Sequence, residues 1–222
     1  MLYKLFLSIL INLVPLWALA QTAADIDFIT SWRARSYVEP TYLGRVLPTY
    51  GTPVEVSFEM LENNKPVNLS NQIINWVVDN APFRSGPGLQ NITFPADPLQ
   101  AGSEHVVKIA VTDYKGSDRT RLVRIPIRRP EAVIKTPFTR GEAGPGTYEL
   151  KTRLFYWNIT NPNDLAYIWS SNGEGAGDAA GPNIILTISP QAQPYPLRLS
   201  LNIRSRANDL ETATINLSLV VK

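Results

Sequence analysis

The stretch EHVVKIAVTDYKGSDRTRLVRIPI, residues 104 to 127, decides the fold class of this chain. Branched apolar residues occupy every second position on each side of a central turn: Val107, Ile109, Val111, Val123, Ile125 and Ile127. A period of two places these side chains on one face of a strand and the polar ones on the other. The stretch therefore predicts a β-hairpin with one face in a core, turning at residues 114 to 118.

The same period of two recurs along the rest of the chain. It is clearest in residues 54 to 60, 197 to 203 and 215 to 221, whereas no stretch has a helical period. The 18 prolines and 13 glycines lie mostly between these segments, where turns require them. The sequence therefore predicts an all-β protein.

A loose internal repeat predicts two β units. Trp76 in IINWVVDN and Trp169 in AYIWSSNG are each followed by a Gly- and Pro-rich loop, a short apolar strand and a terminal hairpin. Pro130 lies between the two copies and would stop a strand. We expect a first domain over residues 21–129, a second over residues 130–222, and a short linker that holds them in a fixed relation.

A β unit of about 100 residues with a tryptophan on an early central strand suits an immunoglobulin-like sandwich. The first unit also resembles polycystic-kidney-disease (PKD)-like domains in its Val-Thr-Asp step, its Gly-containing turn, its last Val/Ile strand and its tryptophan–aspartate segment. The matching residues are Val111, Thr112, Asp113, Gly116, Ile125, Trp76 and Asp79. The sequence departs from that pattern at Asn80-Ala81-Pro82, where such domains have Gly-Asp-Gly, and the second unit lacks the Val-Thr-Asp step. The resemblance implies tandem immunoglobulin-like (PKD-like) antiparallel β-sandwiches that serve as extracellular spacers or binding modules and not as enzymes.

The first twenty residues have the features of a secretory signal peptide. Lys4 gives a positive start, residues 5 to 16 are nearly all apolar, and Ala18-Leu19-Ala20 is a small-x-small cleavage site. We expect a secreted, periplasmic or cell-surface location, with no stable membrane insertion after cleavage. An uncleaved N-terminal anchor is the alternative.

The composition excludes several function classes. The chain has 21 Lys and Arg residues against 19 Asp and Glu residues, a net charge of +2. So balanced a charge predicts no nucleic-acid partner. Because the chain has no cysteine, thiol catalysis and cysteine-ligated metals are excluded. No nucleophile motif, Gly-rich phosphate loop or metal-ligand cluster is recognisable, so we predict no enzymatic activity and no cofactor.

The one histidine and the carboxylates of the first unit are predicted to be structural. His105 shares the parity of Val107 and faces the core, and a His-based zinc site is not expected because there is no second histidine. Asp79, Asp113 and Asp118 lie in loops or turns, where calcium binding is the alternative. No dense acidic loop is present, and Asp113 is expected to cap the hairpin turn.

Two surfaces are candidate contacts for a ligand or partner. Arg124, Arg128 and Arg129 belong to a basic run that could meet an acidic partner, or could form a solvated face that protects a sheet edge. Phe155 and Trp157 fall by alternation on one exposed face of a strand. There they could stack on sugar rings or anchor a protein, or else pack against the first domain.

These features together predict a non-enzymatic, secreted or cell-surface structural or interaction protein with a protein partner, or with self-assembly, at the cell envelope. The alternative is a carbohydrate-binding module that holds polysaccharide with Phe155 and Trp157. One further segment, SYVEPTYLGRVLP at residues 36–48, is expected to be extended or looped and to pack on the first sandwich.

Overall fold

The computed structural model describes residues 25–96, 104–175 and 181–222. Within these ranges nearly all regular structure is β, and the sole helical element there is a short 3-10 turn, Pro162–Asp164. No helix of the described ranges is long and apolar enough to cross a membrane. The predicted signal peptide, residues 1 to 20, lies outside the described residues.

Eight strands form the first sandwich: β1 (Ile26–Ala34), β3 (Pro53–Glu62), β4 (Lys65–Pro66), β5 (Ile73–Val78), β6 (Ala81–Pro87), β7 (Asn91–Pro95), β8 (Glu104–Tyr114) and β9 (Ser117–Pro126). In one sheet, β3 pairs along nearly its whole length with β1, and its two ends pair with β7 and β4. The second sheet has the order β6-β5-β8-β9. Every pairing in both sheets is antiparallel, which confirms the predicted fold class.

The inner faces of these two sheets share one buried core. The residues that alternation places inward are all buried: Val54, Val56, Phe58, Met60, Val107, Ile109, Val111, Val123, Ile125 and Ile127. Phe58 and Trp76 meet across the core, with ring centroids 5.7 Å apart in an edge-to-face contact. The hairpin turns at Lys115 and Gly116, whose φ angles of 52° and 81° are those of a tight two-residue hairpin turn.

Eight further strands form the second sandwich: β10 (Glu131–Lys135), β11 (Glu142–Ala143), β12 (Gly146–Trp157), β13 (Leu165–Ser171), β14 (Glu174–Gly175), β15 (Asn183–Ile188), β16 (Tyr195–Ser205) and β17 (Thr212–Val221). In one sheet, β12 lies between β10 and β15. The other sheet has the order β11-β17-β16-β13-β14, and only the short β11 pairs in parallel. The alternating residues predicted to face inward on β16 are buried: Leu197, Leu199, Leu201 and Ile203.

The two tryptophans of the repeat occupy equivalent places. Trp76 on β5 pairs with Ile109 of β8, and Trp169 on β13 pairs with Leu201 of β16. Both are buried. Each indole N–H donates to a backbone carbonyl in the following loop, at 2.8 Å in the first sandwich and 3.0 Å in the second. The chain is thus built of two tandem immunoglobulin-like sandwiches.

One strand pairs with the other sandwich and not with the one in which its neighbours in the chain lie. β2 (Tyr37–Val38) follows β1 but pairs with the end of β12 in the second sandwich. We call residues 36–48, which make this excursion, the crossing segment. Its expected placement on the first sandwich is wrong for the part around β2. It returns at Arg45, whose guanidinium lies 4.1 Å from the ring centre of Trp32 on β1.

The crossing segment fills an edge of β12 that β15 leaves open. β15 pairs with β12 only as far as Lys151, and the backbone beyond that point needs other hydrogen-bond partners. Phe155 pairs with β10 on one side and with Val38 of the crossing segment on the other. Glu39 N–H adds a hydrogen bond to the Leu154 carbonyl at 3.0 Å.

Candidate functional site

Tyr156 interrupts the alternation of β12. Its φ is +61°, and the pairing with β2 shifts register between Phe155 and Trp157, as a β-bulge does. The extra residue turns Trp157 inward: its side chain is 0% exposed, and its indole N–H donates to the Glu131 carbonyl at 2.9 Å. The expectation that Phe155 and Trp157 form one exposed aromatic face is therefore wrong, because Trp157 belongs to the core.

Phe155 lies instead in a second aromatic group, which we call the junction cluster: Tyr42, Phe155 and Tyr156. The ring of Tyr42 meets Phe155 at 5.5 Å and Tyr156 at 6.0 Å, both edge to face. The two tyrosine hydroxyls are 2.6 Å apart. Burial, followed by this hydrogen bond with Tyr42, raises the pKa of Tyr156 to about 12. Tyr42 and Phe155 are half-buried, so the cluster joins the two sandwiches and still reaches the surface.

An ion pair beside the junction cluster fastens the crossing segment. The Arg153 guanidinium donates to one carboxylate oxygen of Glu39 at 2.6 Å, and the Leu154 N–H donates to the other at 3.3 Å. Because the Glu39 side chain is mostly buried, this charge-assisted pair is stronger than an ordinary surface ion pair.

An exposed apolar residue stands next to the cluster. Leu43 follows Tyr42 in the crossing segment and is 100% exposed. The surface at the junction thus combines one fully exposed leucine with half-exposed aromatic rings.

The three predicted arginines are all exposed and have different neighbours. Arg124 on β9 forms an ion pair with Glu104 of the adjacent strand. The Arg128 backbone N–H donates to the Pro48 carbonyl at 2.9 Å, and its charge opposes the rise in the pKa of Tyr156. The structure therefore brings Arg128 to the junction cluster, leaves Arg124 on the hairpin, and places Arg129 in the exposed linker between β9 and β10.

His105 has the structural position that its parity predicts. It is 1% exposed, its Nδ1 contacts the Asp79 carboxylate, and its ring meets Phe94 edge to face at 5.2 Å. The other oxygen of Asp79 accepts the Val106 N–H at 2.9 Å. This carboxylate therefore joins a loop to β8.

The turn of the first hairpin is capped by a different aspartate from the one expected. The Asp118 carboxylate accepts the Asp113 N–H at 2.9 Å, so Asp118 is the cap and Asp113, with φ of +52°, is the residue that is capped. Within residues 25–96, 104–175 and 181–222, no three or more carboxylate or imidazole groups are placed to hold a metal ion.

The residues at the junction that sequence reasoning missed are Glu39, Tyr42 and Tyr156. Their contacts join positions 114 residues apart in the chain, so no local spacing predicts them. The available signal was composition: an extended stretch with two tyrosines, a glutamate and two prolines is unusual for a simple connection between strands.

Comparisons with known proteins find structures of similar shape but no family to which the chain can be assigned. No protein-family model matches the chain, and no curated protein matches it in sequence. Among solved structures, the three N-terminal domains of the bacteriophage RB49 Highly Immunogenic Outer Capsid protein (Hoc) are similar with a TM-score of 0.45 and 10% identity, over 90% of this chain and 59% of that one. The chain thus spans about 59% of the Hoc structure's length.

Two other solved structures are similar at lower scores. The fibronectin(III)-like modules of Clostridium thermocellum CbhA have a TM-score of 0.31 and 8% identity, over 84% of this chain and 93% of that one. The Bacteroides ovatus mixed-linkage glucan utilization locus protein SGBP-B, solved with a mixed-linkage heptasaccharide, has a TM-score of 0.27 and 12% identity, over 86% of this chain and 47% of that one. At such scores these likenesses assign neither a family nor a function.

Proposed function

We propose that this chain is a non-enzymatic structural or interaction protein of the cell surface or its surroundings. In this proposal a signal peptide, residues 1–20, directs export, and two immunoglobulin-like domains, residues 21–129 and 130–222, hold a binding surface in a fixed orientation. The observation that carries the proposal is the crossing segment. It ties the two sandwiches by backbone pairing, the Glu39–Arg153 ion pair and the Tyr42–Tyr156 hydrogen bond.

The binding surface of this proposal is the junction cluster with Leu43 and Arg128. Tyrosine and arginine are among the residue types that dominate the free energy of protein–protein binding, and Leu43 adds an exposed apolar side chain beside them. The partner is a protein of the cell envelope or a second copy of this chain, and the positive charge of Arg128 and Arg129 favours an acidic one.

Carbohydrate binding is the second candidate function. It is supported by the half-exposed rings of Tyr42 and Phe155, since sugar rings stack on aromatic faces. Trp157 takes no part in it because its side chain is buried.

One capture experiment separates the two candidates. The exported chain, residues 21–222, is immobilised, incubated with envelope extract and cross-linked, and the retained proteins and glycans are analysed by mass spectrometry. Leu43→Asp places a charge on the proposed surface without disturbing the core. Leu210→Asp is the matched control because Leu210 is also exposed but belongs to the loop between β16 and β17 and not to the proposed surface.

We expect one protein, or the chain itself, to be retained by the wild type and by Leu210→Asp and lost with Leu43→Asp. Retention of polysaccharide by both leucine variants but not by Phe155→Ala would support the carbohydrate-binding alternative. Equal retention of every component by all variants would contradict both assignments of this surface.

A further inference from the structure

A cleft separates the two sandwiches on a face that the junction cluster does not occupy. Its volume is about 590 Å³, within the range of sites that hold small molecules. Residues from the ends of β1 and β3 form one wall, and the loops after β12 and β16 form the other. The polar and charged lining includes Arg35, Asn158, Thr160, Asn163, Asp164 and Arg206.

The walls of the cleft are held by hydrogen bonds of backbone groups, which do not use the arginine side chains. Arg35 N–H donates to the Pro53 carbonyl at 3.2 Å, and Arg206 N–H donates to the Asp164 carbonyl at 3.1 Å. The buried Glu211 carboxylate accepts the Asn158 N–H at 2.7 Å. The site is therefore formed before any ligand arrives, which reduces the entropy that binding must overcome.

The cleft has more positive than negative charge available to a ligand. Arg35 lies 4.0 Å from an oxygen of Glu55 that Arg33 already contacts at 2.7 Å, so its guanidinium is weakly engaged. Arg206 makes no side-chain hydrogen bond or ion pair with the described part of the chain.

The carboxylate of Asp164 also lines the cleft and offsets one of the two positive charges, so the lining keeps an excess of one. The same carboxylate accepts the Asn161 N–H at 3.1 Å. Two arginines on opposite walls of a concave site favour a ligand with an oxyanion group, such as a carboxylate, to which a guanidinium can donate two parallel hydrogen bonds.

We propose that this cleft binds a uronic acid residue of an acidic oligosaccharide. Arg35 and Arg206 bind the carboxylate, while the amides of Asn158 and Asn163 and the Thr160 hydroxyl hydrogen-bond to sugar hydroxyls. Pro53, Ile159 and Ala207 supply an apolar surface for the C–H groups of the ring. An acidic peptide shares the carboxylate but offers fewer hydroxyls to these polar groups. This inference does not rest on the proposed partner surface, which is formed by different residues.

Isothermal titration calorimetry of the exported chain with trigalacturonate tests the proposal. The fully methyl-esterified trisaccharide is the matched neutral ligand, and a triglutamate peptide is the matched acidic peptide. Arg35→Gln and Arg206→Gln each remove one guanidinium. Arg204→Gln is the control variant, because Arg204 is exposed on β16, close in sequence to Arg206, but does not line the cleft.

We expect trigalacturonate to bind, each cleft variant to weaken it about tenfold, and Arg204→Gln to leave it unchanged. The methyl ester and the peptide are expected to bind at least about tenfold more weakly, because one lacks the charge and the other the hydroxyls. Thermal unfolding checks that all variants stay folded. Equal binding of the methyl ester, an equal loss in Arg204→Gln, tighter binding of the peptide, or no binding at millimolar trigalacturonate would each overturn the proposal.

Discussion

The two sandwiches share a plan but differ in what completes them. In the first, β3 is paired on both edges by strands of its own sandwich. In the second, the equivalent β12 is paired at its end by β2, which comes from the connection between two strands of the first sandwich. The comparison shows that tandem copies of one fold need not be independent, since part of the second sheet is supplied from more than one hundred residues earlier in the chain.

The hydrophobic core of the second sandwich also depends on the crossing segment, unlike that of the first. The first sandwich has one continuous group of buried side chains, whereas the second has two, and the group nearer the junction includes Tyr37 of the crossing segment. Burial raises the pKa of Tyr37, with smaller effects of Glu39 and Arg153, as expected for a side chain that has left water. We therefore expect the second sandwich to lose stability when the crossing segment is altered.

The largest loss of stability is expected at the two buried tryptophans, the feature in which the two sandwiches are most alike. Trp76→Ala and Trp169→Ala each remove a buried indole and leave a cavity and an unpaired carbonyl. Each should lower the free energy of unfolding of its own sandwich by about 3–5 kcal/mol. Urea unfolding followed by circular dichroism measures this, with Leu122→Ala as an exposed control. If one tryptophan variant lost several times more unfolding free energy than the other, the two tryptophans would not be equivalent.

A smaller loss of stability is expected in the crossing segment, the feature in which the two sandwiches differ. Tyr37→Ala removes a half-buried ring and should cost about 2 kcal/mol, less than a fully buried aromatic. Hydrogen exchange should show lost protection at the end of β12, although the altered residue lies next to the first sandwich in the chain. The β8–β9 hairpin should keep its protection. Tyr195→Ala, in the other core group of the second sandwich, is the matched control and should spare the end of β12.

Sequence patterns predicted the strands well because alternation depends only on neighbours. Every inward position assigned in the first hairpin and in β3 is buried, and the tryptophan repeat identified the two sandwiches. Trp157 was misplaced because one non-glycine residue, Tyr156, has a positive φ and shifts the parity after it. No local pattern encodes that shift, since the contacts that hold it come from Tyr42.

The destination of the crossing segment was missed for a related reason. Tyr37 and Val38 would pair equally well with any open sheet edge, and the edge that needs them depends on where β15 ends. That end is set by the fold of the second sandwich and not by the sequence of the segment. The candidate surface at the junction was therefore predictable in kind, from Phe155 and Arg128, but not in its full membership.

The hydrogen bond at the junction gives a prediction for alkaline pH. Tyr42→Phe removes the bond to Tyr156 and should cost about 1 kcal/mol at neutral pH. In the wild type, burial and this bond raise the pKa of Tyr156 from 10.0 to about 12. The folded state therefore holds its proton more tightly than the unfolded state. Stability should be fully present below about pH 10 and decline as pH rises toward 12.

Tyrosine absorbance at alkaline pH, combined with unfolding curves at several pH values, measures this effect. In Tyr42→Phe the phenol of Tyr156 should titrate at lower pH than in the wild type, because burial then acts without the hydrogen bond. Tyr148→Phe is a suitable control, since its hydroxyl bonds only to the local Gly144 and Pro145 carbonyls. An unchanged titration in Tyr42→Phe would show that the two hydroxyls do not interact.

The smallest expected effect concerns the loops that close the last hairpins. The first sandwich turns there in two exposed residues, whereas the second has a longer loop with Glu211 buried in it. Burial raises the pKa of Glu211, and the hydrogen bond from Asn158 opposes the rise. Because the folded state then binds the proton more tightly, the contribution of Glu211 to stability should be greatest at low pH. It should decline as pH rises from the unfolded value toward the higher folded value.

Glu211→Gln keeps an acceptor for the Asn158 N–H and removes the charge. We expect the variant to lose this part of the pH dependence and to be at least as stable as the wild type above that pH range. Denaturant unfolding between pH 4 and 8 measures the difference, with Glu174→Gln, an exposed glutamate of the same sandwich, as the control. Lower stability of Glu211→Gln at neutral pH would mean that the carboxylate charge strengthens its bond to Asn158 by more than burial costs, and the cleft wall beside it would then depend on that charge.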